Sequence, residues 1–272
     1  MRHPDPHFGY SAVSWRANEQ RPAPLAPPPS RHRFLRQGAL VLDTHIDAID
    51  LDSAAQRILT WGSRQQSRIV TLCQVDNLVR AAHDPALHRA IAQADLTLPA
   101  DTAVAWAMRR EGQRKQQALP GHELMWRHLA LAEQAGQAVH FHGGNPEALD
   151  RLLTSVQAAF PALRATGTPA SSHPHTPAED LALAQRITSG GAQVVFVGLD
   201  DIEQEHWMNT HRGQIRAVMI GLGRGFAQPH AESAKPQTWH ELRRRIANRA
   251  VFFAHILQGM FLGAPPSRHD DR

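Results

Sequence analysis

The chain has 272 residues, 42% of them hydrophobic, and a formal charge of +4 at pH 7 with a pI near 10.1. This is enough apolar material for the core of one large or two small domains, and no run approaches the roughly 20 apolar residues of a membrane-spanning helix. The single cysteine, Cys73, excludes an intramolecular disulfide.

Residues 1–36 are rich in proline, including the run Pro27-Pro28-Pro29, and contain few aliphatic side chains. Burial there cannot offset the entropy of ordering the chain, so we predict a disordered leader. The segment Met1 to Ser30 also lacks the apolar core of a secretory signal, and we therefore expect a cytoplasmic protein.

From about Leu40 onwards, short β-branched runs alternate with amphipathic, alanine-rich segments. The predicted strands cover 69–73, 96–98, 139–142, 164–167, 194–197 and 218–222. The predicted helices cover 53–61, 102–112, 123–135, 146–159, 178–189 and 202–211. This alternation predicts an α/β domain over residues 37–237, with a Rossmann-like parallel sheet covered by helices on both faces.

Ligands of such sheets bind at the carboxyl ends of the strands. Asp101 follows one strand and begins a helix, where it is interpreted either as an N-cap or as a carboxylate base, and the two roles are compatible. Gly143-Gly144 follows the next strand and would let backbone N–H groups approach a phosphate. By contrast, the run from Gly221 to Gly225 is not followed by a helix pattern, which argues against a dinucleotide site.

His140 and His142 share one face of a predicted strand, but no third ligand stands at a diagnostic spacing. With 18 histidines in the chain, coincidence is the favoured explanation. We predict neither a metal site nor a cofactor.

Residues 238–272 are predicted to form a basic, apolar helical appendage and tail. The basic residues are Arg243, Arg244, Arg245 and Arg249, followed by apolar residues from Val251 to Leu262. Such a helix either lies at an anionic membrane surface or packs on the sheet with its arginines in water. Basic residues elsewhere are dispersed and no aromatic platform is interleaved with them, so no nucleic-acid partner is predicted.

Several sequence blocks follow one another along the chain: Ile69 to Cys73 with Asp84 to Leu87, Leu98 to Thr102, Pro120 to Leu124, Phe141 to Pro146, Phe160 to Leu163, and Val197 to Leu199 with Gln204 to Trp207. In their order and spacing the chain resembles, over roughly residues 40–240, the WecG/TagA/CpsF family of bacterial glycosyltransferases.

The resemblance implies an inverting enzyme that moves a hexose or N-acetylhexosamine from a UDP-sugar to a polyprenyl-diphosphate-linked acceptor at the inner face of the plasma membrane. It implies surface or exopolysaccharide synthesis, peripheral attachment through the C-terminal arginines, and no metal. Asp101 would be the catalytic base, Thr71 would line the sugar pocket and Gln204 would hold the nucleotide. The substrate-binding residues predicted together are Thr71, Cys73, Gly143, Gly144, Gly198, Gln204 and Glu205.

Some positions depart from the family pattern: Cys73, Ala100, Ala118, Ala227 and the acidic run Asp200-Asp201-Ile202-Glu203. With the proline of the block Leu98 to Thr102 held at Pro99 without a gap, the family aspartate falls on Ala100 and Asp101 is its neighbour. An alternative function follows, that of a catalytically silent member serving as a binding or scaffold subunit in polysaccharide assembly. A second copy of the chain, in a homo-oligomer, is one possible partner, and the sequence leaves the oligomeric state open.

Overall fold

A computed structural model describes residues 37–171, 176–223, 243 and 247–256. The predicted leader lies outside the described residues, as do Arg244, Arg245 and Ala227. Within the described ranges, no helix is both long enough and apolar enough to cross a bilayer.

The core of the fold is a six-stranded parallel sheet, which confirms the predicted α/β class. Its strands are β3 (Arg68–Cys73), β4 (Leu96–Pro99), β5 (Ala138–Gly143), β6 (Arg164–Thr168), β7 (Val194–Gly198) and β8 (Val218–Gly221), after an antiparallel hairpin of β1 (Gly38–Val41) and β2 (Thr44–Asp47). The helices are α1 (Leu51–Ser63), α2 (Val75–His83), α3 (Pro85–Ala92), α4 (Thr102–Arg110), α5 (Gly121–Gln134), α6 (Pro146–Ala159), α7 (Pro177–Ser189) and α8 (Asp201–Thr210). The strand order across the sheet is β4-β3-β8-β7-β5-β6.

Both faces of the sheet are covered, because alternate strand residues are apolar on both sides. Val70, Phe196 and Ile220 belong to a core shared with α1, α5 and α6. The residues one position before each of them along their strands, Ile69, Val195 and Met219, pack with α7 and α8 on the opposite face. The predicted helices on both faces of a parallel sheet are therefore confirmed.

Three elements were not predicted: the hairpin, α2 and α3. The hairpin turn uses Leu42 and Asp43 with φ of 47° and 58°, a left-handed conformation normally signalled by glycine or asparagine. Helix α3 did carry a signal, since Asp84 caps it and Pro85 occupies its first turn.

The predicted C-terminal helical segment is confirmed over residues 247–256. Phe252 is fully buried in a third core with the hairpin, α2 and α4, and Asn248 Nδ2 donates to Asp76 Oδ1 over 3.1 Å. The helix is therefore joined to the part of the fold that carries the β3 and β4 strand ends.

Candidate active site

The strand connections place a topological switch point, the usual position of a ligand crevice, at the carboxyl edge of the sheet. Strands β5 and β7 are neighbours, yet β5 leads to α6 on one face and β7 leads to α8 on the other. At such a switch point the two connections diverge and leave room above the strand ends.

At this switch point the backbones of two strand ends touch through glycines. Gly143 has φ of +126°, and a Cβ added there would lie 2.6 Å from the carbonyl carbon of Gly198. Gly144, with φ of +68°, donates its N–H to the Gly198 carbonyl over 3.2 Å. Glycine is required at Gly143 because the next strand leaves no space for a side chain.

Asp101 caps two helices at once. Its Oδ1 accepts the N–H groups of Ala103 and Val104 at the start of α4, both over 2.9 Å. Its Oδ2 accepts the N–H of Val75, the first residue of α2, over 3.0 Å. The predicted N-cap is thus confirmed, and the carboxylate is fixed between the ends of β3 and β4 while remaining partly exposed.

Thr71, Gln204 and Glu205 form a buried polar network. Thr71 Oγ1 donates to Glu205 Oε2 over 2.9 Å, and Gln204 Nε2 donates to Glu205 Oε1 over 3.4 Å. Gln204 Oε1 in turn accepts the N–H of Gly223 over 2.7 Å. The network links β3, α8 and the turn after β8, and its three side chains are at most 3% exposed.

Cys73 lies on the same face of β3 as Thr71 but in a different environment. Its side chain is buried in the core formed with α2 and α4, and its carbonyl accepts the N–H of Ala100 over 2.9 Å. The structure therefore brings Thr71, Gln204 and Glu205 together, while Cys73 packs in the core that contains α2 and α4.

Two helices begin at this edge without a side-chain cap. Neither Pro120 before α5 nor Asp200 before α8 makes a side-chain cap hydrogen bond. Helix α5 lies directly over the strand ends, since a Cβ on Gly121 would be 2.6 Å from Leu72 and 3.2 Å from Leu222. Free N–H groups at a helix start favour anions. Asp200 and Glu203 are exposed, so water screens their charges.

Stacked aromatic rings behind the glycine contact were not predicted. The His142 ring stacks on Trp207 with centroids 4.6 Å apart, and Trp207 contacts His211 at 4.3 Å. His140 Nδ1 lies 2.8 Å from Thr166 Oγ1, so the His140–His142 pair is divided between two environments. Within the described ranges, no group of three His, Cys, Asp or Glu side chains is arranged to hold a metal ion.

Two buried histidines, His128 on α5 and His140 on β5, have pKa values well below the ordinary value. Burial lowers the pKa of His128 to about 4, and burial together with the charge of Arg186 lowers the pKa of His140 to about 4. Both rings are therefore neutral at physiological pH.

Two of the four predicted membrane-binding arginines, Arg243 and Arg249, lie within the described residues. Arg243 and Arg249 are exposed. Of the apolar residues beside them, Phe252 is buried and Phe253 packs on Trp106 with ring centroids 5.5 Å apart. Val251 and Phe253 each keep 38% of their surface exposed.

A parallel sheet with Asp101, Gln204 and paired glycines at its carboxyl edge defines an α/β protein with its candidate site at the strand ends. The sequence model described as the Glycosyl transferase WecG/TagA/CpsF family matches residues 39–237. The chain belongs to this family of glycosyltransferases.

Among curated relatives, two proteins from Staphylococcus aureus, strains NCTC 8325 / PS 47 and COL, are each 30% identical to the chain over 134 residues. Both are called N-acetylglucosaminyldiphosphoundecaprenol N-acetyl-beta-D-mannosaminyltransferase. The match covers 49% of this chain and 51% of each relative, so the chain spans about half the length of the curated relatives it matches.

Proposed function

We propose that the protein is an inverting glycosyltransferase that moves a hexose or N-acetylhexosamine from a UDP-sugar to a polyprenyl-diphosphate-linked sugar in bacterial surface or exopolysaccharide synthesis. Family membership supports the reaction class, and the name of the Staphylococcus aureus relatives supports a lipid-diphosphate acceptor. The observation that carries the proposal is the position of Asp101, Gln204 and the Gly143–Gly198 contact along one edge of the sheet.

In this reaction the acceptor hydroxyl attacks the anomeric carbon of the donor, the bond to UDP breaks, and a base takes the hydroxyl proton. A carboxylate has about four lone-pair sites. Three backbone N–H groups occupy three of those on Asp101. One site on Oδ2 remains for the acceptor hydroxyl, and the three bonds hold the carboxylate in a fixed orientation for that contact.

The leaving UDP carries the charge that must be stabilised on the other side of the reacting bond. The starts of α5 and α8, without side-chain caps, offer backbone N–H groups to the diphosphate. Preorganised donors of this kind stabilise charge that develops as the bond breaks. Gln204 is assigned to the nucleotide side because it holds the turn after β8, next to these helix starts.

The first test is the thermal stability of the purified full chain with UDP, UDP-glucose and UDP-N-acetylmannosamine. A ligand that binds only the folded state raises the unfolding midpoint in a dose-dependent way. We expect UDP alone to raise it, and transfer to a lipid-linked acceptor to follow. The donor proposal would be wrong if no nucleotide changes the midpoint, with or without anionic vesicles.

The second test distinguishes the proposed role of Asp101 as a general base from its role as a helix cap. Asp101→Asn is expected to lower transfer by about 10²–10⁴-fold, the range for loss of a general base. Asp84→Asn is the matched control, because Asp84 also caps a helix through two N–H groups but lies beyond the far end of α2. Equal transfer by both variants would exclude Asp101 as the base.

A second candidate function, a catalytically silent binding or scaffold subunit, is favoured by one observation. Each oxygen of Asp101 already serves as a helix cap, while the neighbouring Ala100 carries no carboxylate and is buried. UDP binding without turnover of any UDP-sugar, in the presence of lipid-linked acceptors, would support this function over the first.

Peripheral attachment to the inner face of the plasma membrane is proposed through the C-terminal segment. Exposed Arg243 and Arg249, with the partly exposed Val251 and Phe253, suit an anionic lipid surface. Co-sedimentation with phosphatidylglycerol vesicles tests this. Binding is expected to fall in the Arg243→Gln/Arg249→Gln variant and with salt; binding that equals that to neutral vesicles contradicts it.

A further inference from the structure

The orientation of the Gln204 carboxamide is determined by its two neighbours. The Gly223 N–H can only donate, so it must face the amide oxygen, which it does over 2.7 Å. The Glu205 carboxylate accepts from the NH₂ group on the other side over 3.4 Å. A flipped amide would place donor against donor and acceptor against acceptor.

The amide is also confined sterically. Gly221 pairs with Thr71 of β3 and with Val197 of β7, so it lies between two strands. A Cβ added at Gly221 would lie 2.6 Å from Gln204 Cδ, so the amide packs against the bare strand backbone. The orientation of Gln204 therefore determines where the turn Gly221–Gly223 is held.

Glu205 is itself anchored on the neighbouring strand. Its Oε2 accepts the Thr71 hydroxyl over 2.9 Å, and the residue is only 2% exposed. A side chain so buried has little surface to offer a substrate. Its hydrogen bonds instead extend from β3 through Gln204 to the turn after β8.

We propose that Glu205 is a positioning residue that does not contact substrate: it orients the Gln204 amide and thereby holds the Gly221–Gly223 turn in the conformation that receives the nucleotide. That the turn receives the nucleotide rests on the proposed function; the orientation of Gln204 does not. This changes the role of Glu205 from a substrate-binding residue to one that acts through Gln204.

The test is an exchange of the two side chains. Gln204→Glu alone places two carboxylates side by side in a buried site, where like charges repel strongly. Adding Glu205→Gln restores these three hydrogen bonds and reverses only the one between the two side chains. The carboxylate at position 204 accepts from Gly223, as the Gln204 oxygen does, and from the new amide, whose oxygen accepts from Thr71. The matched control is Asn209→Asp, an amide-to-acid change on the same helix; the Asn209 amide donates to the backbone carbonyls of Glu205 and Ala90, not to the Thr71, Gln204 or Glu205 side chains.

Two measurements are made on the full chain: amide hydrogen exchange at Gly223 by NMR, and UDP affinity. We expect Gln204→Glu to speed exchange at Gly223 and to weaken UDP binding, each by about tenfold, the equivalent of one lost hydrogen bond of ordinary strength. The double variant is expected to return both to within about threefold of the native values. Asn209→Asp is expected to leave exchange at Gly223 unchanged.

The proposal is overturned if exchange at Gly223 is insensitive to Gln204→Glu, or if the double variant is no better than Gln204→Glu alone. If Gln204→Glu fails to fold, recovery of folding and of native exchange by the double variant supports the proposal, and failure of both variants overturns it. The expected exchange pattern without UDP binding by the native chain would support the orientation of Gln204 and overturn the proposed function.

Discussion

The two halves of the carboxyl edge differ in the kinds of groups that form them. In the half formed by β3, β4 and β8, polar side chains hold one another and the backbone: Asp101 joins two helices, and Glu205 joins Thr71 to Gln204. In the half formed by β5, β6 and β7, the edge is bare backbone at Gly143 and Gly198, with imidazole and indole rings behind it.

The difference indicates a division of labour. Carboxylate and carboxamide groups fixed by hydrogen bonds can exchange protons and recognise polar ligands, whereas glycine contacts determine shape and access. Two of the buried histidines that the structure describes, His140 and His142, lie on β5 in the second half. The two halves should therefore respond differently to acid and to substitution.

Acid is expected to have the largest effect, and to act through two buried histidines, His128 on α5 and His140 on β5. The pKa values of His128 and His140 are about 4, below the ordinary 6.5, so the unfolded chain takes up protons first as the pH falls. Their contribution to stability is full above pH 6.5 and is lost between pH 6.5 and 4, by roughly 3 kcal/mol for each group.

Urea denaturation of the native chain and of His128→Leu and His140→Gln at pH 7.5 and 4.5 checks this. Each variant should lose less stability on acidification than the native chain does. Identical losses in all three proteins would show that the acid sensitivity originates elsewhere.

The glycine contact should be intolerant of a single methyl group. Gly143→Ala combines a φ of +126° with a Cβ only 2.6 Å from Gly198, and we expect a loss of about 3 kcal/mol in the free energy of unfolding. Gly136→Ala is the matched control, since Gly136 has φ of +64° and no atom within 4 Å of the added Cβ, and it should cost about 1 kcal/mol. Equal losses would mean that backbone conformation, and not the contact with β7, requires glycine at Gly143.

The sequence predicted the parallel sheet well because all of its strands except β6 are short runs that are almost entirely buried. Helix α6 was predicted with its observed bounds of Pro146 and Ala159, since a proline opens it and Phe160-Pro161 follows it. The hairpin was missed because its turn places Leu42 and Asp43 in a left-handed conformation that neither residue type signals. Order along the sheet, by contrast, depends on contacts between distant segments.

For the candidate site, the sequence predicted individual residues but not the contacts between them. That Asp101 starts a helix follows from its position in the sequence, but its bond to Val75 joins residues 26 positions apart, and the Thr71–Glu205 bond joins residues 134 positions apart. Sequence spacing gives no sign of either. The same holds for the ring stack, because His142 and Trp207 meet only when α8 packs against the sheet.

In the half of the edge formed by β3, β4 and β8, here called the polar half, removal of the Asp101 carboxylate, which caps both α2 and α4, should cost more stability than any other single change. Asp101→Ala leaves three backbone N–H groups without their acceptor, two in α4 and one in α2. We expect a loss of about 2 kcal/mol, against about 1 kcal/mol for Asp84→Ala, which frees two N–H groups of one helix. Chemical denaturation measures both; a smaller loss for Asp101→Ala than for Asp84→Ala would contradict the joint cap.

The smallest effect is expected for Thr71→Val, which tests the hydroxyl group of Thr71 independently of the size of its side chain. Thr71→Val keeps the shape of the side chain in β3 and removes only the hydrogen bond to Glu205, so we expect a loss of about 1 kcal/mol. Thr97→Val is the comparison in β4, where the hydroxyl donates to backbone and carboxylate oxygens of β2, away from α8. Both variants should lose similar stability, but only Thr71→Val should alter hydrogen exchange at Gly223. If both alter it, or neither does, the Thr71–Glu205 bond does not reach the turn after β8, and the polar half of the edge is then a set of separate contacts rather than a connected network.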